Sequence, residues 1–197
     1  MRKLLNLDTI SYLVRYVYKR ITHRFKKIGF PVGFECNVSV YNARFISMGN
    51  NVFLGKNVII QVPEEFEGIE SNPQLIIGNR VTVGMGGWIN AIKKIHIKNN
   101  VLIGPHVFIA DHLHKFSDPS VPIRDQGVDK IAPVTIEENA WIGAGVVINP
   151  GVTIGKNSVV GANSVVTKDI PDYTVAVGSP ARPISTYNFK KKSWEKI

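Results

Sequence analysis

The sequence predicts an all-β fold, a parallel β-helix, and three observations carry that prediction. The first is a period of six. Val134, Ala140, Val146, Val152, Ser158 and Ser164 stand six apart, and a second column, Ile136, Ile142, Ile148, Ile154, Val160 and Val166, follows two residues behind. An α-helix repeats at about 3.6 residues and a flat strand at about 2, and neither keeps a strict six over this length. The second is recurrence upstream. Val40, Ile46, Val52 and Val58 are six apart, as are Leu75, Val81 and Gly87, and then Ile95, Val101 and Val107. The third is the character of the columns. Small or β-branched side chains at each inward step fill a narrow prism whose coils stack about 4.8 Å apart.

The elements follow in order. Residues 1–30 read as a basic amphipathic helix, with Ile10, Leu13, Val14, Val17, Ile21, Phe25 and Ile28 on one face and Lys19, Arg20, Lys26 and Lys27 elsewhere. Such a helix either caps the open first coil or a subunit neighbour, or lies on an anionic membrane surface. Residues 31–185 form the β-helix. Its register breaks at 61–74, shifts by two over 88–94, and breaks again over the longest excursion, the protruding loop 110–133. Insertions belong at corners, because a strand interior would lose its pairing, and long loops are often functional. Gly143, Asn149, Gly155 and Gly161 follow the second column and are expected to supply positive φ at tight corners. Residues 186–197 read as a basic tail.

The chain has 197 residues, enough for one domain with a real core. A single cysteine, Cys36, excludes an intrachain disulfide framework and fits a reducing compartment. No apolar run is long enough for a transmembrane helix, and no signal peptide is expected. The net charge of +9 is uneven. Residues 1–29 carry eight Lys/Arg against Asp8 alone, and 189–197 carry Lys190, Lys191, Lys192 and Lys196 against Glu195, so the body is close to neutral. That distribution argues against a nucleic-acid groove in the main domain.

The loop Asp111–Gly127 (DHLHKFSDPSVPIRDQG) holds two histidines, His112 and His114, and two aspartates, Asp111 and Asp118, where the chain leaves the β-helix. Imidazole titrates near working pH and suits general-base catalysis, and a neighbouring carboxylate can orient it. A metal reading uses His96, His106 and one loop histidine. It needs three or four ligands converging within about 2.0–2.3 Å. His96 and His106 each follow an inward position and so face out, and no metal is expected.

The stretch Trp141–Pro171 (WIGAGVVINPGVTIGKNSVVGANSVVTKDIP), followed by Val177–Ile184 (VGSPARPI), resembles the hexapeptide-repeat acetyltransferases. Within them it is similar to galactoside and maltose O-acetyltransferases and to enzymes that decorate bacterial surface polysaccharides. The resemblance implies a left-handed β-helix, a homotrimer with active sites between adjacent subunits, and acetyl-CoA as donor to a sugar hydroxyl. It puts the base seven residues after the inward Val107, at His114, with His112 second and Asp111 or Asp118 orienting the ring. Trp141 is implied to lie by the thioester. Asn90 resembles an acceptor-positioning asparagine, and Trp88 either stacks on a sugar face or fills the register break. The resemblance runs the pantetheine arm past Gly143, Ala144 and Ala162. It sets Thr167 and Lys168 at the adenine and phosphate end and Arg182 on a phosphate, where cations neutralise the coenzyme's charge. A cytoplasmic location follows, with peripheral membrane contact through the N-terminal helix. Two other readings are N-acetylation of an amino sugar nucleotide and a non-catalytic scaffold. The first is weakened because residues 1–34 are too short for a βαβ nucleotide domain.

Overall fold

The computed structural model describes residues 7–197 of the protein. The start of the predicted helix and the side chain of Ile10 lie outside the described residues. The chain winds through three parallel sheets as a left-handed β-helix, an exception to the right-handed crossover rule. Face one is built from Lys27–Ile28, Ile46–Met48, Gln74–Ile77, Lys94–Ile97, Val134–Ile136 and Thr153–Ile154. Face two is built from Val32–Phe34, Val52–Leu54, Thr82–Val83, Leu102–Ile103, Trp141–Ile142, Val159–Val160 and Thr174–Gly178. Face three is built from Ser39–Tyr41, Ile59–Gln61, Trp88–Asn90, Phe108–Ala110, Val147–Ile148 and Val165–Val166.

Both six-residue columns point inward and are buried along their whole length. Each enclosed Val or Ile contributes roughly 1.5–3 kcal/mol. Ser158 and Ser164 sit in the same column with satisfied hydroxyls. Ser158 Oγ donates to the Pro171 carbonyl at 2.6 Å, and Ser164 Oγ accepts from the Gly178 N–H at 3.0 Å.

The corners differ from the sequence expectation. Positive φ occurs at Gly145, Gly151, Asn157 and Asn163, each two residues beyond an expected position, and not at Gly143, Asn149, Gly155 or Gly161. Those glycines answer to stacking instead. A Cβ on Gly155 would fall 2.4 Å from the backbone N of Asp172 in the next coil, a distance no Cβ tolerates.

All three register breaks leave from one corner, between faces three and one. The first insertion folds back as the antiparallel pair Glu65–Phe66 and Ile69–Glu70, and an Arg44–Glu64 ion pair ties it to the coil below. The second is the two-residue shift at Ala91–Lys93. The third carries the pair Leu113–His114 and Val128–Asp129.

The ends are capped differently. The N-terminal helix α1 spans Leu7–His23, and Lys27–Ile28 already pairs with Ile46–Met48, so the helix is shorter than the predicted 1–30. It covers the first coil with the side opposite to Leu13, Val14, Val17 and Ile21. Tyr16 is buried and its hydroxyl donates to the Gly29 carbonyl at 3.0 Å, while Lys19 Nζ donates to the Val38 carbonyl at 2.9 Å. The first coil has no coil below it to satisfy its outward carbonyls, so donors rather than apolar groups are drawn to that edge. At the other end, residues 186–197 are not a free tail. Ala181–Asn188 pairs antiparallel with Thr174–Gly178, and Ser193–Lys196 pairs with Ala181–Asn188. Tyr187 meets the ring edge of Trp194 at 5.5 Å, which anchors this last strand.

Candidate active site

The site grows from the extruding corner. Asn90 ends its face-three strand in register between Gln61 of the coil below and Ala110 of the coil above. Its side chain is buried, and Oδ1 has no hydrogen-bond partner among the described residues. A buried acceptor left unpaired costs about 1–3 kcal/mol, so a donor brought to this position would be stabilising. Beside it a groove of about 260 Å³ is lined by Tyr41, Gln61, Val62, Pro63, Phe66 and Asn90. Trp88 Nε1 donates to Gln61 Oε1 at 3.0 Å, and its ring meets Phe108 edge-on at 5.5 Å.

One residue past Ala110 stands Asp111, which is fully buried. Its Oδ1 accepts from the Ile92 N–H at 2.9 Å, and Oδ2 accepts from the Lys93 and Lys94 N–H groups at 2.8 and 2.7 Å. The two-residue shift at 91–93 is what turns these three amides toward the carboxylate. His112 Nδ1 lies 3.1 Å from the same Oδ1. A carboxylate oxygen only accepts, so Nδ1 carries the hydrogen, and the tautomer this selects has its lone pair on Nε2. His112 is 6% exposed, and Phe66 packs on it edge-on with ring centroids 4.9 Å apart.

His114 sits differently. Its side chain is 55% exposed, and Nδ1 lies 3.1 Å from Glu67 Oε1. Phe66 and Glu67, on the neighbouring insertion, are the residues that sequence reasoning missed. The usable signal was that Gln61 and Ala110 occupy equivalent places in their coils, so the loops that follow must leave side by side.

The other expected residues are spread over the prism. Asp118 is exposed near the tip of the loop and bonds Ser120, whose hydroxyl and N–H hold its pKa below the ordinary value. It therefore shapes a turn, and Asp111 is the carboxylate at a loop imidazole. Trp141 lies on face two between Leu102 and Val159, half exposed, away from the histidine corner of its own chain. Gly143 and Ala144 follow it at the corner between faces two and three, directly beneath Ala162. Asn163 N–H donates to the Ala144 carbonyl at 2.8 Å, and a Cβ on Gly143 would lie 2.6 Å from Ala162 N. Ala144 and Ala162 are exposed, so this corner presents bare backbone of stacked coils. Thr167 and Lys168 are exposed beyond Val165–Val166, at the far end of face three, and Arg182 is exposed on the face-two cap. Small groups along this corner leave its backbone open, and Lys168 and Arg182 are exposed cations.

No three His, Cys, Asp or Glu side chains gather to hold a metal among the described residues. His96 is on face one, His106 at the corner between faces two and three, and the loop histidines at the third corner. Burial, then Lys94 and Lys98, hold the His96 pKa below its ordinary value against the opposing pull of Glu137.

Residues 133–168 match the family model described as bacterial transferase hexapeptide (six repeats). A maltose O-acetyltransferase from Clostridium difficile 630 is 32% identical, with 88% of this chain and 76% of that one covered at a TM-score of 0.57. The galactoside O-acetyltransferase of Lactococcus lactis is 39% identical over 70% of this chain and 65% of its own length. A mutant of AntD, an N-acyltransferase from Bacillus cereus in complex with dTDP and coenzyme A, superposes with a TM-score of 0.73 at 25% identity over 89% and 90% of the two chains. The chain belongs to the hexapeptide-repeat acetyltransferase family. It spans 55% and 42% of the lengths of two further curated relatives, about half in each case.

Proposed function

We propose that the protein is an acetyl-CoA-dependent O-acetyltransferase that acetylates a sugar hydroxyl in the synthesis of a bacterial surface polysaccharide, and that it works in the cytoplasm as a homotrimer. The observation that carries this reading is the Asp111–His112 pair. Its carboxylate is pinned by three backbone N–H groups, its imidazole is buried with Nδ1 toward that carboxylate, and Asn90, whose Oδ1 is unpaired among the described residues, lines a groove at the same corner. The expectation from the resemblance put His114 first, whereas burial and a fixed tautomer favour His112 as the base.

In this mechanism His112 Nε2 takes the proton of the acceptor hydroxyl as that oxygen attacks the thioester carbonyl, and it returns the proton to the departing thiolate. Asp111 keeps the ring in the right tautomer and stabilises the imidazolium. Asn90 and the groove hold the sugar, with Asn90 Oδ1 accepting from a second hydroxyl. Trp141 and the Ala144–Ala162 corner sit on another face, so the donor arm reaches His112 from a neighbouring subunit, which supports the trimer. Gly143, Ala144 and Ala162 let the arm lie on backbone, and Thr167, Lys168 and Arg182 meet its phosphate end.

Thiol release from acetyl-CoA, measured against a panel of sugars with His112→Ala and His114→Ala, tests the reading. Loss of about 10²–10⁴-fold in His112→Ala alone is expected, the usual worth of a general base. The same loss in His114→Ala alone moves the base to His114. Turnover with an amino sugar nucleotide and none with hydroxyl acceptors would replace O-transfer by N-transfer.

A further inference from the structure

The outward side of α1 is unaccounted for by the proposed reaction. Leu13 (45% exposed), Val14 (62%), Val17 (44%), Tyr18 (61%) and Ile21 (72%) form one open apolar row, extended by Phe30 (59%) just past the helix. In an ordinary surface helix this row would face the core. Here the inward face is held by polar groups, Arg15, Tyr16 and Lys19, on the carbonyls of Phe34, Gly29 and Val38. The helix is thus fixed to the first coil with its apolar side turned away from the protein.

We propose that this face is a docking surface for an anionic lipid bilayer, on which α1 lies in the plane of the headgroups. Charge selects that occupant. Arg20, Arg24, Lys26 and Lys27 are exposed around the row, and no Asp or Glu occurs between Asp8 and Glu35. Cations beside an open apolar face are what draws a helix to acidic headgroups while its apolar side chains enter the acyl boundary. Self-association through the same face would bring two carboxylate-free clusters of cations together, which opposes it. No helix among the described residues is long and apolar enough to cross a membrane, so contact runs along the surface.

Co-sedimentation of the full chain with vesicles of phosphatidylcholine, with and without phosphatidylglycerol, tests the proposal. Binding is expected to the mixed vesicles, to weaken with salt, and to be slight on neutral ones. The triple variant Val14→Ser, Val17→Ser, Ile21→Ser changes only outward side chains. It should lower partitioning at least about tenfold, because its loss of apolar burial is summed over three residues. Its circular dichroism and melting should be unchanged. The variant Arg24→Gln, Lys26→Gln, Lys27→Gln should lose the preference for acidic lipid. Absence of wild-type binding to the mixed vesicles, or equal binding to neutral ones, overturns the proposal. A wild type that ignores vesicles while the serine variant loses oligomer mass by light scattering assigns the face to a second copy instead.

Discussion

Replacing Asp111 by asparagine tests the central feature of the site, because four donors converge on its two oxygens. Oδ1 receives the Ile92 N–H and faces His112 Nδ1, and Oδ2 receives the Lys93 and Lys94 N–H groups. An amide of the same shape offers one acceptor and one donor. With its NH₂ toward Lys93 and Lys94 two of the four bonds are lost, and with its NH₂ toward Ile92 and His112 one is lost and the ring must change tautomer. Hydrogen bonds to a charged group are worth about 1.5–3 kcal/mol each, which puts the cost between about 1.5 and 6 kcal/mol. A typical domain has only about 5–15 kcal/mol in total. Urea unfolding followed by tryptophan fluorescence should report that loss. Hydrogen exchange should quicken at the amides of Ile92, Lys93 and Lys94 before it quickens in the coils. If the NH₂ turns to His112, the ring takes the other tautomer and Nε2 ceases to be a base. The same change behind a catalytic imidazole lowers the rate on the order of 10⁴-fold. Unchanged stability and unchanged exchange at residues 92–94 would refute the structural part. Wild-type turnover in a folded Asp111→Asn would refute the orienting role.

Gly155→Ala forces a Cβ to within 2.4 Å of the Asp172 backbone and should destabilise by about 1–3 kcal/mol, as overpacking does. Asn157→Gly, at φ 54°, should change the melting temperature little, and calorimetry of the two variants separates stacking from backbone conformation. Glu67→Gln weakens only the His114 contact, so it should leave acetyl transfer near wild type, and a loss comparable to that of His112→Ala would show that His114 is the working base. Acidification should loosen α1. Burial, then Lys19, hold the His23 pKa below its usual 6.5, so the unfolded chain binds that proton more tightly. The stabilisation is therefore complete above about pH 6.5 and is lost as pH falls through the lower folded value. Hydrogen exchange of residues 13–22 should accelerate over that range in the wild type and stay flat in His23→Gln.

The period of six made the prism legible, because each inward position is a one-residue decision repeated along the chain. Val134 to Val166 read correctly for that reason, and the corner insertions showed as breaks in the count. The chemistry of the loop was legible as a cluster, since Asp111, His112 and His114 lie within four residues. What the loop histidines meet was not. Phe66 and Glu67 stand more than forty positions away and reach them only because two coils expel loops at the same corner. The orientation of α1 was hidden for a different reason. An apolar stripe at helical spacing ordinarily turns toward the core, but the coil edge that α1 covers is rich in unpaired carbonyls, and Arg15, Tyr16 and Lys19 answer that need first. The left-handed corners were misplaced by two residues because Gly145, Gly151, Asn157 and Asn163 carry them, whereas Gly143, Gly155 and Gly161 are required by the close approach of the coil stacked above.

Confining every insertion to one corner has an evolutionary consequence. Residues 63–73 and 115–130 lie outside the three prism faces and can lengthen, shorten or change side chains without altering a prism strand, a stacked corner or the strip of backbone at Ala144 and Ala162. Variation that retunes one partner of the prism is thereby insulated from variation that would harm the other. A lineage built on this plan can vary a single edge while the remaining two stay under constant selection for packing.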